Sequence, residues 1–136
     1  MKLLMIYMKR FSYNPTVKTI ESMPDHSGKV EFENIQAAFI QVEKEDEENE
    51  TAVKRKLTKN LKWIAGKNNT KHIVLHSFAH LSESKAESEF TKSLFDDIDE
   101  RLTGSGFLVE QTPFGYFLDL QIDAPGYSLA RVFKDF

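Results

Sequence analysis

Apolar positions along the chain fall into short continuous runs and two long helical stripes. Lys2 to Met8, with Leu3, Leu4, Met5, Ile6 and Tyr7, reads as a buried first strand. Asn34 to Val42, centred on Ala37, Ala38, Phe39 and Ile40, is a second, and Lys71 to His76 a third. Between the first two lie the turn signals Asn14-Pro15, Pro24-Asp25 and Ser27-Gly28, with Lys18 to Ser22 as a short edge strand. From about Glu50 to Ala65, Val53, Leu57, Leu61 and Ile64 recur at helical spacing beside Trp63, and Gly66-Lys67-Asn68-Asn69 stops the helix. A second helix is predicted from about Ser84 to Leu102. Ser84 and Glu87 form its capping box, and Phe90, Leu94, Phe95, Ile98 and Leu102 its buried stripe. Phe107 to Glu110 is a short strand, Tyr116 to Ile122 alternates with period two, and Tyr127 to Phe133 is a last strand. The order β-β-β-α-β-α-β-β-β predicts an α/β (α+β) fold, a mixed β-sheet with two main helices. The helices cover one face, leaving the other to strands or to another subunit.

Composition narrows the classes. A length of 136 residues fits one domain, residues 1–136, with a sizeable core. There are no cysteines, which excludes a disulfide scaffold, a thiolate zinc site and cysteine nucleophilic catalysis, and agrees with a cytoplasmic location. No apolar run reaches the roughly 18 residues of a membrane span, and the apolar start lacks the features of a signal peptide. A net charge of −3 argues against broad, non-specific nucleic-acid binding but is compatible with a pocket for one nucleotide end. The acids from Glu43 to Glu48 read as a solvated loop before a helix.

The candidate chemistry centres on Ser77-Phe78-Ala79-His80-Leu81-Ser82, placed between a strand and a helix. α/β folds bind ligands at such junctions, where free N–H groups and the positive helix end favour an anionic or oxyanionic group. On spacing alone, a His80 that merely caps or packs remains the competing reading. His72, His76 and His80 are spaced by four, but on a strand residues 72 and 76 lie about 13 Å apart, too far for one zinc. No metal and no cofactor is expected. There is no Gly-x-Ser-x-Gly elbow and no phosphate loop; Gly104-Ser105-Gly106 follows a helix and reads as its cap. The aromatic residues fall at core spacing rather than as an RNA-stacking platform. Thr112-Pro113-Phe114-Gly115-Tyr116 reads either as a plain hairpin turn or as an exposed aromatic wall beside a glycine that permits close approach.

Taken together, Lys2 to Ile6, Ala37 to Lys44, Ser77 to Ser82, Gly106-Phe107 and Thr112 to Tyr116 resemble the archaeal N-terminal editing domain of threonyl-tRNA synthetase. That family is related in fold to D-aminoacyl-tRNA deacylases, and the resemblance covers nearly the whole chain. It implies hydrolysis of serine mischarged on threonine tRNA, at the ester of the terminal adenosine. Backbone atoms would shape much of the pocket, and the RNA 2′-hydroxyl would assist. Serine lacks only a methyl, worth about 1–3 kcal/mol, so a threonine site needs such a second sieve. The resemblance assigns a catalytic role to His80 and substrate contacts to Phe78, Ala79, Phe114, Gly115, Tyr116 and Phe117. Its implied partners are the 3′ end of an aminoacyl-tRNA, a second copy of the chain in a homodimer, and a larger synthetase chain.

The sequence also departs from the family pattern. Leu118 stands where the resemblance expects a lysine, Arg131 where it expects a glutamate, and Tyr7-Met8-Lys9 where it expects His-Ser-Asp. Arg131 is a candidate replacement for the missing cation. Two expectations follow: a deacylase with weakened catalysis, or a non-catalytic relative that binds a tRNA end or assists a synthetase.

Overall fold

A computed structural model describes residues 1–136. Its strands are β1 (Lys2–Lys18), β2 (Val30–Gln41), β3 (His72–Ser77), β4 (Leu108–Gln111), β5 (Tyr116–Asp123) and β6 (Arg131–Asp135). Its helices are α1 (Glu50–Lys67) and α2 (Ser88–Gly104). The six strands form one mixed sheet in the order β4-β3-β2-β1-β5, with β6 also on β1. β2, β3 and β4 run parallel, connected through α1 and then α2. The remaining pairings, β1 with β2, β5 and β6, are antiparallel.

β1 is the spine. One edge pairs with β2 from Lys2 to Tyr13. The other pairs with β6 along Lys2–Ile6 and with β5 along Arg10–Lys18, so β5 and β6 share that edge end to end. Asn14-Pro15 is therefore not a turn, and no separate edge strand spans Lys18 to Ser22. Proline lacks a donor, but Pro15 lies beyond the end of the β2 ladder, and the β5 register shifts between Pro15 and Val17.

Both helices pack on one face of the sheet. Leu3, Met5, Ala38, Ile40, Ile73 and Leu75 meet Val53, Leu57, Leu61 and Ile64 of α1 and Leu94, Phe95, Ile98 and Leu102 of α2. Lys54 of α1 is buried and bridges the helices through Asp97 of α2. A smaller second core holds Met8, Phe11, Tyr13, Ile35, Ala37, Phe39 and Val74. Leu3 and Met5 belong to the first core, whereas Phe11 and Tyr13, of the same parity, belong to the second. The exchange occurs near Asn34, whose left-handed backbone (φ 53°) interrupts the alternation of β2.

Three further boundaries differ from expectation. α2 starts at Ser88, so Ser77–Ser82 does not lead directly into a helix. Ser84 and Glu87 form no capping box, because the acidic run captures both. Ser84 Oγ accepts from the Lys44 amide, and the Glu87 amide donates to Glu47 Oε2. That run is a 3₁₀ turn, Lys44–Glu48, rather than a solvated loop. Asp46 is buried, and with Glu43 it holds the Met1 ammonium at 3.1 and 2.6 Å. The last strand begins at Arg131, after a 3₁₀ turn at Ser128–Ala130.

Candidate functional site

A cleft of about 420 Å³ opens where the C-terminal ends of β2 and β3 meet the start of β5. Ligands of sheet proteins often bind at such carboxyl ends, and the volume falls in the range of small-molecule sites. One wall is the connection after β3, from Phe78 to Ala86; the other is the hairpin from Pro113 to Leu118. The structure brings Phe78, Ala79, His80, Phe114, Gly115, Tyr116 and Phe117 together in this cleft.

The first wall has no regular structure of its own and is held by the side chains of Gln41, the last residue of β2, and of Glu43 just after it. Gln41 Oε1 accepts from the amides of Leu81 and Ser82, both at 2.6 Å. Its Nε2 donates to the carbonyls of Ser82 (2.6 Å) and Ser84 (2.9 Å). Ser82 Oγ donates to Glu43 Oε2 at 2.7 Å. Burial opposes ionisation of Glu43, but hydrogen bonds from the Met1 ammonium and Ser82 hold its pKa below the ordinary value. The Phe78 amide donates to Ile40 O at 2.9 Å. The amides of Ala79 and His80 make no hydrogen bond within the protein, which leaves two adjacent donors at the cleft. His80 is exposed, its ring edge-on to Phe78 at 5.0 Å between centroids. It therefore does not pack into the core. Ser88, the first residue of α2, also lines the cleft, so the helix end reaches it from the far end of the connection.

The second wall is fixed by backbone geometry and aromatic packing. Gly115 has φ +81°, and a Cβ there would sit 2.9 Å from Ile20 Cβ. Its carbonyl accepts from the Thr19 amide at 2.7 Å, which draws the chain after β1 across the cleft. Phe114 lines the cleft but is not the exposed aromatic expected: it is half-buried against Phe95 of α2, with centroids 6.3 Å apart. The exposed aromatic is Phe117, at 59%. Tyr116 Oη accepts from the His26 amide at 2.9 Å and so anchors the connection between β1 and β2.

The walls meet at His76, whose Nδ1 lies 2.8 Å from Thr112 Oγ1. Burial, reinforced by the like charge of His80, pushes its pKa down to about 4, so it is neutral at pH 7. His72 is also lowered by burial, and its Nε2 has no hydrogen-bond partner. No three His, Cys, Asp or Glu side chains are grouped to hold a metal ion.

The cleft has no carboxylate, and its sole ammonium is Lys85, which the sequence reading missed. A lysine amid serines and glutamates looks like a solvated loop residue; only the fold of the connection turns it toward the cleft. Leu118 lines the cleft and packs toward the second core. Arg131 does not replace the expected cation: it lies on β6 opposite Ile6, is absent from the cleft, and donates to Pro125 O at 2.7 Å. Tyr7, Met8 and Lys9 lie in mid-β1, outside the cleft.

A family model described as the archaea-specific editing domain of threonyl-tRNA synthetase matches residues 1–136. The threonine–tRNA ligase of Thermococcus onnurineus is 29% identical over 97% of this chain, which spans 22% of that protein. The corresponding ligase of Hyperthermus butylicus is 29% identical over 100% of this chain, which spans 23% of it. The chain thus covers less than a quarter of these relatives. Among solved structures, c-Myc DNA Unwinding Element Binding Protein matches with a TM-score of 0.70 at 14% identity. The match covers 100% of this chain and 99% of that one. At that identity the likeness concerns the fold.

Proposed function

The chain belongs to the archaea-specific editing domain family of threonyl-tRNA synthetase, and from that premise we propose that its cleft hydrolyses the ester of a wrongly charged tRNA. The substrate is serine on the 3′-terminal adenosine of threonine tRNA. The observation that supports this reading is that Ala79 and His80, whose amides have no acceptor in the protein, line one cleft with the hairpin wall and that His80 is exposed.

Water attacks the ester carbonyl, the carbon–oxygen bond to the ribose breaks, and the ribose oxygen takes up a proton. The Ala79 and His80 amides donate to the oxyanion that forms on attack. The His80 imidazole accepts a proton from the water, with the RNA 2′-hydroxyl assisting. Lys85 supplies positive charge that Leu118 does not. Phe78, Phe114, Tyr116 and Phe117 form the walls for the adenosine, and Gly115 lets the backbone approach it. Residues 1–136 act as one domain in the cytoplasm, as part of a synthetase chain or beside one. β5 leaves a backbone edge free and shows Phe117 and Ile122 for contact with a second copy.

One observation favours a second reading. With no carboxylate in the cleft and Leu118 in place of a lysine, the domain binds the tRNA end without turnover. Mixing the chain with seryl-tRNA(Thr) and with D-aminoacyl-tRNA separates the two. Ester loss above the protein-free rate supports the hydrolase, while saturable 3′-end binding with no loss supports the second reading. Neither binding nor turnover defeats both.

A further inference from the structure

Helix α1 carries an unusual charge. Its basic residues are Lys54, Arg55, Lys56, Lys59, Lys62 and Lys67, against the single acid Glu50. The helix contributes a net +5 to a chain of net −3, leaving −8 on everything else. Lys54 turns inward to Glu50 and Asp97. The other five are exposed, and none takes part in an ion pair. At 100° per residue, Arg55, Lys59 and Lys62 form one row directly opposite the buried stripe of Leu57, Leu61 and Ile64. Lys56, Trp63 and Lys67 form a second row beside it. Trp63 is 40% exposed, and Lys134 of β6 places another unpaired ammonium 5.6 Å from its ring centroid.

A merely solvated helix face normally interleaves acids with bases at i,i+4 spacing. This face has none after Glu50. Its cations follow each other along roughly 18 Å of helix axis, a linear array suited to a polymer with regularly repeated anions. An exposed indole among them adds a stacking surface for a base.

The geometry points to the outer face of α1 as a docking site for the sugar–phosphate backbone of RNA, separate from the cleft. It rests on the proposed function only in naming tRNA as the RNA that is presented. The face gives sequence-independent affinity, and the cleft selects the 3′ end.

The test measures binding of uncharged tRNA to the chain by fluorescence anisotropy from roughly 50 to 200 mM salt. Arg55→Glu, Lys59→Glu and Lys62→Glu are combined in one variant, and the three glutamine changes in a second. The glutamate variant is expected to bind at least about tenfold more weakly, and its log–log salt slope to fall by about two to three. The glutamine variant falls between it and the parent. Circular dichroism checks that the helix is retained; if the glutamate variant unfolds, the glutamine variant carries the test. Parental affinity and slope in the folded variant overturn the proposal. So does a parent chain that binds poly-glutamate through these residues but not RNA, which makes the face a protein-docking surface. Hydrolysis of a short seryl-oligonucleotide ending in CCA stays at the parental rate in the variants. If even the parent hydrolyses no such ester, the cleft's activity fails while the RNA result for α1 stands.

Discussion

The two walls of the cleft face each other but are held in place by different physics. The Phe78–Ala86 wall has no ladder of its own and is clamped mainly by Gln41, whose amide meets four backbone groups. The hairpin wall depends on what is absent at Gly115, namely a Cβ, and on Phe114 resting against Phe95. The first wall is therefore open to loosening by loss of hydrogen bonds, the second to distortion by added volume. The first wall also carries the groups proposed to act on the ester. Its hydrogen bonds occupy the amides of Phe78, Leu81 and Ser82 and leave those of Ala79 and His80 free.

The largest expected effect comes from the hairpin. Gly115→Val meets a positive φ and contacts as short as 2.9 Å at Ile20. It should cost about 4 kcal/mol, combining backbone strain with overpacking. Denaturant unfolding measures this, and a loss below about 1 kcal/mol would show that the wall can shift to admit a side chain.

Acid tests the point where the walls join. His76 is neutral and buried, with a folded pKa of about 4 against an ordinary 6.5. The unfolded chain binds the extra proton first, so this group's stabilisation is fully present above pH 6.5. It declines as pH falls toward 4, by about 3 kcal/mol. His76→Gln should flatten that part of the stability–pH curve. An unchanged slope would assign the loss to other groups.

Removing the clamp is next. Gln41→Leu leaves the Leu81 and Ser82 amides without their acceptor, and should destabilise the chain by about 2 kcal/mol. Hydrogen exchange should quicken at the amides of Leu81, Ser82 and Ser84 and not at the hairpin. Equal acceleration in both walls would erase the distinction between them. The smallest effect on folding is expected from Phe117→Ser: its exposed ring should change stability by less than about 0.5 kcal/mol yet weaken ligand binding. A variant that binds like the parent would remove Phe117 from the site.

The same contrast explains what could be read from the sequence. The stripes of α1 and α2, the apolar runs of β1 to β3 and the alternation of β5 are local patterns, and they place the sheet and its helix-covered core. Both cleft segments were visible as motifs for the same reason. What was not legible depends on partners distant in the chain. Ser84 and Glu87 look like a capping box until residues some 40 positions earlier, Lys44 and Glu47, capture them. Asn14-Pro15 looks like a turn until β5 pairs with it. Lys85 and the burial of Asp46 carry no periodic signal at all.

The central claim is that both walls hold one aminoacylated adenosine. Its most direct test is NMR titration with a non-hydrolysable analogue in which serine is joined to 3′-amino-3′-deoxyadenosine through an amide. Saturable shifts should appear at the amides of Ala79, His80, Gly115 and Phe117, and be weaker with adenosine alone. Shifts confined to other surfaces, or none in either wall, would contradict the account.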